Sequence, residues 1–331
     1  MKKANLTILR HTIQIAFGFI LLYLGWQLYK FTEYFLSHGT TQFVPRPPGV
    51  EGFLPISALM SLKLWLTTGI IDPHHPAALI ILLAIIFTSL ILKKGFCSWL
   101  CPIGTISEGT AKLGVTIFGR NFKLPRVLDL ILMSLKYLIL AFFVYVILFQ
   151  MSPFIIAAFL QGSYNKVADI KMMYFFLDLS FTAAVVISML FILSVFVKHF
   201  WCRYLCPYGA LLGVISVFSP WKIQRNKEYC INCQKCVQAC PNRVPVSKEK
   251  RVYTPECTAC LSCIEKCPQE KALAFHSSKL KTSINPVVFP VVLIFIFFGI
   301  IWLGKLTGHW ETNITMEEYY LLINNLNVIF H

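Results

Sequence analysis

Eight cysteines fall in two runs of one design: Cys230-x2-Cys233-x2-Cys236-x3-Cys240, followed by Pro241, and Cys257-x2-Cys260-x2-Cys263-x3-Cys267, followed by Pro268. Thiolates two residues apart turn back onto one face of an iron–sulfur cube. A third at the same spacing completes three corners, and the fourth, ahead of a proline, is carried to the other cube. This spacing assigns Cys230, Cys233, Cys236 and Cys267 to one [4Fe–4S] cluster. Cys257, Cys260, Cys263 and Cys240 go to the second. Zinc also favours C-x2-C pairs, but it is satisfied by four thiolates and explains neither the third cysteine of each run nor the proline.

The other four of the twelve cysteines form a second duplicated pattern. Gly95-Phe-Cys97-Ser-Trp-Leu-Cys101-Pro102-Ile-Gly104 is matched by Phe200-Trp-Cys202-Arg-Tyr-Leu-Cys206-Pro207-Tyr-Gly209. On a helical turn, residues i and i+4 share a face, so each motif presents two sulfurs together. Two motifs brought together offer four thiolates, enough for a third cluster or for a soft metal such as Cu(I) or zinc. The plainer reading is four thiols that only pack, or cycle, beside the ferredoxin docking surface.

These motifs need elements to hold them. Of the 331 residues 56% are hydrophobic and only 14% charged, with a net charge of +15, a balance foreign to soluble domains. The positive charge sits beside apolar runs and in the cysteine-rich region. That fits loops facing anionic lipid on the cytoplasmic side and gives no reason to invoke nucleic acid. Cysteines spent on clusters rather than disulfides place these regions in a reducing compartment.

Spanning helices are expected over about 12–31, 77–92, 127–149, 175–197 and 284–303. Lys2, Lys3 and Arg10 precede the first, which reads as an uncleaved anchor with its N-terminus inside. Lys93-Lys94 and Lys198-His199 end the second and fourth, each directly before a C-x3-C-P motif. The first four helices therefore read as a tandem two-helix repeat in parallel orientation, with a fifth added. The fold class is an α-helical membrane protein carrying an inserted cytoplasmic α+β module for two [4Fe–4S] clusters. Its expected divisions are a membrane domain over 1–220, the cluster module over 221–276, and the fifth helix with an outer tail over 277–331.

Polar residues outside the cysteines are weaker candidates. The turn-rich segment 37–76 reads as outer and interfacial. His74 and His75 within it suit a metal, a haem or a quinone, or are simply a solvated turn. Arg46 and Glu51 read as an ion pair or as part of a quinone head-group site. Lys136, inside an apolar helix, is either functional or snorkelling to the interface, with Tyr137 beside it as a hydrogen-bond partner. The module carries Arg225, Lys227, Lys235, Arg243, Lys248, Lys250 and Arg251, a lipid-facing surface or a docking face for an acidic donor. Met316 to Ile329 is weakly amphipathic.

The run from Cys230 to Pro268 resembles bacterial-type ferredoxins. Together with Cys97/Cys101 and Cys202/Cys206, the chain is similar over essentially its whole length to the membrane polyferredoxins typified by NapH, and to YccM-type proteins. It is also similar to the C-terminal half of NosR, whose large extracytoplasmic flavin domain has no counterpart in this sequence, so that role does not carry over. The oxidase-maturation protein CcoG has a related arrangement. The resemblance implies a bacterial inner-membrane electron-transfer subunit, multi-pass, with a periplasmic C-terminus. Its implied electron partners are the quinone pool or a cytoplasmic donor, and a redox protein such as a periplasmic reductase, a ferredoxin or a cytochrome. Whether it is itself a quinol-oxidising enzyme stays open at this point. Two other roles remain: an accessory reductase for metal or cofactor maturation, and a membrane redox sensor. No appended signalling segment supports the sensor.

Overall fold

The computed structural model describes residues 6–329. Lys2, Lys3 and the final His331 lie outside that range. The helices run α1 Leu6–Leu36, α2 Pro55–Thr68, α3 Pro76–Leu92, α4 Gly95–Trp99, α5 Pro102–Phe118, α6 Arg126–Tyr145, α7 Pro153–Gln161, α8 Ser163–Lys166, α9 Ala168–Leu177, α10 Phe181–Phe196, α11 Pro207–Ser216, α12 Lys235–Gln238, α13 Ser262–Glu265, α14 Phe289–Leu306 and α15 Met316–Asn324. The strands are β1 Trp221–Arg225, β2 Leu273–Ser277 and β3 Thr282–Ile284.

Among the described residues, three stretches are long and apolar enough to cross a membrane, Leu6–Leu36, Arg126–Gln150 and Phe289–Leu306, and the bent pair Ala168–Leu177 and Phe181–Phe196 makes a fourth if it is one span. Along them Phe19, Leu22, Ile131, Leu138, Phe295 and Trp302 are exposed apolar side chains, an arrangement that lipid tolerates and water does not. The stretch expected as one helix over 175–197 is instead α9 and α10, bent by 78°. The backbone N–H of Asp178 closes α9 on Tyr174 O, and the Ser180 hydroxyl accepts from Ala183 N to open α10. A hydroxyl that caps a new helix offers the backbone an alternative to continuing the old one. The expected helix over 77–92 is α3, 17 residues long. At ~1.5 Å per residue it reaches ~26 Å, short of a ~30 Å hydrocarbon core. The fifth helix starts later than expected, at Phe289, because Thr282–Ile284 pairs as β3.

The chain divides into two units. One contains Met1–Phe17, Ile85–Ala141 and Val186–Phe297. The other contains Gly18–Ala84, Phe142–Val185 and Phe298–His331. The first unit holds all twelve cysteines. Its antiparallel sheet has the order β1-β2-β3, with Trp221 opposite Ser277 and Phe275 opposite Ile284. Alternation puts Leu273 and Phe275 on the buried face, where Phe275 meets Phe289 edge-on at 5.2 Å.

The second unit is built on aromatic packing. Phe31 of α1 meets Tyr319 of α15 edge-on at 5.0 Å, among Leu28, Val50, Val167 and Ile170. The segment 37–76, read from sequence as short and interfacial, forms α2, whose Met60 and Leu64 pack on Ile156 and Leu160 of α7.

Candidate functional site: the cysteine centres

The eight ferredoxin cysteines surround two small cavities of similar size, about 20 Å³ each. Cys230, Cys233, Cys236 and Cys267 line the first, and Cys240, Cys257, Cys260 and Cys263 line the second. Each run supplies three cysteines to one cavity and sends its fourth to the other. The backbone explains how. Asn232 and Gln234 in the first run, and Ala259 and Leu261 in the second, adopt left-handed φ of 55°, 61°, 49° and 60°. Only Asn among these favours that region, so the other three residues carry strain that the surrounding turn imposes. The turn aims N–H groups inward: Asn232 N–H bonds the Cys230 sulfur, and Ala259 N–H bonds the Cys257 sulfur. The single turns α12 and α13 then deliver Cys236 and Cys263.

Among the described residues, no three His, Cys, Asp or Glu side chains converge on a point that would hold a single metal ion. Sulfurs spread round a cavity suit a multi-iron cluster better than one tetrahedral zinc.

The two cavities differ in surroundings. At the first, Cys233 is exposed and Ile231 is 59% exposed. The Asn232 N–H, with Arg225 nearby, holds the Cys230 thiol below the usual range. At the second, Ala259 and Leu261 are buried, and burial pushes Cys240 up to about 12 and Cys257 and Cys263 upward. We call these the outer and the inner cavity.

The C-x3-C-P cysteines form a third group in the same unit. Cys101 and Cys206 each end an extended link and cap a helix that opens on proline, α5 and α11. Cys101 N bonds Phe96 O at 2.9 Å, and Cys206 N bonds Trp201 O at 3.0 Å, so the two motifs share one fold. The N–H groups of Ile103 and Gly104 face the Cys101 sulfur, and those of Tyr208 and Gly209 face Cys206. Helix N-termini aimed at sulfur favour the thiolate. A Cβ on Gly104 would lie 2.1 Å from the Cys97 carbonyl oxygen, so this approach needs glycine. The Ser107 hydroxyl lies 3.3 Å from the Cys202 sulfur. The sulfurs of Cys97, Cys101, Cys202 and Cys206 are near enough to act on one another's charge, and burial pushes Cys97, Cys101 and Cys202 up to about 12. A cation or cluster would supply the positive charge that these half-buried thiolates lack.

Side chains that the sequence left unpaired tie these groups together. Lys136 does not snorkel: it is fully buried, with Nζ 2.8 and 2.7 Å from the two carboxylate oxygens of Glu256. The Tyr137 hydroxyl donates to the same carboxylate at 2.8 Å rather than to Lys136. Burial alone would raise the Glu256 carboxyl, but Lys94 and Lys136 outweigh it and hold it low. Arg203 forks onto Asp129 at 3.0 and 2.6 Å and donates to Asn242 O at 2.8 Å. Arg10 donates to Cys260 O at 3.0 Å, to the Ser262 hydroxyl at 2.9 Å and to Glu108 at 2.7 Å. Sequence signalled only that Lys136 was an intramembrane charge. Its partner lies 120 positions away.

In the second unit, away from every cysteine in sequence, His75 is fully buried, and His74 is 9% exposed, so neither belongs to a solvated turn. Arg46 bonds Glu51 and Asp169, both at 2.8 Å. His75 Nε2 lies 2.6 Å from Asn165 O, which only accepts, so Nε2 carries a proton. His75 Nδ1 lies 3.2 Å from Arg46 Nη2 and 3.3 Å from Glu51 Oε1. The Arg46–Glu51 ion pair read from sequence is present, with Asp169 as an addition. The Glu51 carboxylate also accepts from Ala78 N at 2.9 Å, at the start of α3.

Two sets of four cysteines round cavities, four more in paired motifs, and helices long and apolar enough to cross a membrane define an iron–sulfur electron-transport protein of multi-pass membrane type. The family profile described as "4Fe-4S binding domain" matches twice, over residues 74–125 and 179–226, each time enclosing one C-x3-C-P motif. The "4Fe-4S dicluster domain" profile matches residues 222–268. The chain is 41% identical over 332 residues to the putative electron transport protein YccM of Escherichia coli (strain K12), covering 99% of this chain and 93% of that protein. It is 28% identical to the ferredoxin-type protein NapH of Haemophilus influenzae, over 51% of this chain and 55% of that protein. It is also 28% identical to the regulatory protein NosR of Pseudomonas aeruginosa, over 49% of this chain and 22% of that protein. No solved structure matches. The chain belongs to the NapH/YccM-type family of membrane polyferredoxins.

Proposed function

We propose that this protein moves electrons between a donor, the quinone pool or a cytoplasmic carrier, and a partner respiratory reductase in the bacterial inner membrane. The ferredoxin module, about 221–276, faces the cytoplasm in this reading, and the tail after α14 faces the periplasm. Cys230, Cys233, Cys236 and Cys267 would hold one [4Fe–4S] cluster, and Cys257, Cys260, Cys263 and Cys240 would hold the other. Such clusters supply one-electron transfer. The single observation that carries the reading is the sorting of eight cysteines into two cavities, each taking its fourth from the other run.

The chain's own residues position and shield these centres. Ala259 and Leu261, both buried, cover part of the inner cavity. Turn N–H groups donate to Cys230 and Cys257, which favours the more negative state of each. Oxidation of a quinol would release two electrons and two protons, and clusters held by these cysteines would supply the one-electron acceptors while water at the membrane surface takes the protons.

The four-cysteine group supports a second reading. Four half-buried thiols that do not converge on one point suit a third cluster first, and a soft metal only if the two motifs close on it, as electron delivery to a copper centre during maturation would require. Anaerobic purification in detergent, iron and sulfide counts, and EPR spectra before and after a reduced quinol test both. About eight irons with quinol-reducible signals supports the dehydrogenase role, and about twelve adds a third cluster. About eight irons unmoved by quinol, with copper held by Cys97, Cys101, Cys202 and Cys206, supports maturation instead. Zinc in place of iron overturns electron transfer altogether.

A further inference from the structure

The outer and inner cavities are built by equivalent peptides, and only one of these is touched by a membrane-edge motif. In the outer cavity, the peptide joining Ile231 and Asn232 sends its N–H to the Cys230 sulfur, while Ile231 is 59% exposed. In the inner cavity, the equivalent peptide joining Thr258 and Ala259 sends its N–H to the Cys257 sulfur. Its carbonyl, Thr258 O, accepts from the Ser98 hydroxyl at 2.7 Å. The next carbonyl, Ala259 O, accepts from Trp99 Nε1 at 3.2 Å. Ser98 and Trp99 lie inside the first C-x3-C-P motif, directly after Cys97.

The second motif does the same from the other side. Arg203 follows Cys202 as Ser98 follows Cys97, and its guanidinium donates to Asn242 O at 2.8 Å, two residues after the inner ligand Cys240. The Asn242 side chain in turn donates to Glu256 O at 2.7 Å, beside Cys257. One motif position thus grips the inner cavity twice, once from each half of the repeat.

We propose that the inner cavity is the station that exchanges single electrons with the iron–sulfur centre that the four-cysteine group would hold, and that Ser98 is the positioning residue that links them. The link runs from Cys257 Sγ through the Ala259 N–H and the Thr258 carbonyl to the Ser98 hydroxyl, one residue from Cys97. The outer cavity is the port for a soluble one-electron carrier. This rests on the electron-transfer reading above. A hydrogen bond to a peptide carbonyl polarises that peptide and strengthens its N–H as a donor. Donors to a ligand sulfur stabilise the reduced cluster, which carries more negative charge. Loss of the Ser98 hydroxyl therefore makes the inner midpoint potential more negative.

The test uses the whole protein purified anaerobically, titrated with dithionite, with each cluster's EPR signal followed separately. Cys263→Ser and Cys236→Ser assign the inner and outer signals by the change each causes. Ser98→Ala should shift the inner midpoint downward and leave the outer one in place, and Ser98→Thr, which keeps the hydroxyl, should restore it. A chelated lanthanide in solution should speed the relaxation of the outer signal more than the inner. Equal shifts of both midpoints, or no shift at the inner one, overturns the proposal while leaving electron transfer intact. A preparation without cluster signals overturns the underlying reading, and the proposal with it.

Discussion

The outer and inner cavities start from the same sequence pattern, the same left-handed turns and the same crossing of a fourth cysteine, yet they sit in different chemistry. Round the outer one lie Ile231 and Tyr229, exposed, with Arg225 near Cys230. Round the inner one, Lys136, Arg203, Arg10, Ser98 and Trp99 all engage the loop from Asn242 to Ser262. The motif fixes which sulfurs share a cluster. The rest of the chain fixes how buried that cluster is and what it can reach. Since burial and hydrogen bonding tune potential, a symmetric motif yields two unequal centres.

The largest blow to this asymmetry is removal of Glu256. Glu256→Gln leaves Lys136 charged and buried against an amide, and breaking such a pair costs about 3–5 kcal/mol. Thermal unfolding in detergent measures it. Lys136→Met combined with Glu256→Gln should regain most of the loss, whereas Glu228→Gln in the outer loop should stay within ~0.5 kcal/mol. Equal effects of the two single changes would erase the distinction between the cavities.

Arg203→Ala comes next. It strips Asp129 of its fork and Asn242 O of its donor, a loss of about 1–3 kcal/mol. The inner cluster's EPR line shape should broaden, and the outer one should not.

Acid should separate the cavities more gently. Burial raises the Glu108 carboxyl, but Arg10, His11 and Gln14 outweigh it and hold it to about 2 in the folded chain. Its contribution is therefore complete above an unfolded value near 4.5 and is lost as pH falls toward 2. Glu108 holds Arg10, and Arg10 holds Cys260 O. Amide exchange should rise in this window round Cys257–Cys263 while Cys230–Cys236 stays as it was. The reverse order would place the acid-sensitive support at the wrong cavity.

The smallest effect concerns access. Lys227→Glu with Lys235→Glu should slow electron entry from an acidic soluble carrier by about tenfold at low salt and hardly at all at high salt. Stopped-flow reduction at two ionic strengths reads it.

The cysteine sets were legible because ligand spacing is a local constraint: a turn of two residues suffices to bring Cys230 and Cys233 to one face. Duplication of Cys97–Gly104 in Cys202–Gly209 was legible for the same reason. The partner of Lys136 was not, since Glu256 is brought to it only by packing of the module on α6. Asp169 joining Arg46 across 123 positions was hidden likewise. The break between α9 and α10 was missed because hydropathy averages over Asp178–Ser180, where one capping hydroxyl decides the backbone. For His75 the sequence left a ligand and a solvated turn both open, because the Asn165 carbonyl that encloses the imidazole comes from 90 positions away.

That imidazole has a consequence for the second unit. One guanidinium faces two carboxylates there, so a neutral ring leaves a surplus negative charge in a dry interior. With Nε2–H committed to Asn165, an arriving proton must settle on Nδ1, turning from Arg46 to Glu51. Burial disfavours the charged ring, but Glu51 outweighs it, and the His75 pKa lies above 6.5. Its stabilisation is complete below 6.5 and fades as pH climbs through the raised value. Mild acid thus tightens the unit without cysteines, while the support of the inner cavity yields only to strong acid, as pH falls from about 4.5 toward 2. The two units of this chain answer protons with opposite sign and in separate pH windows.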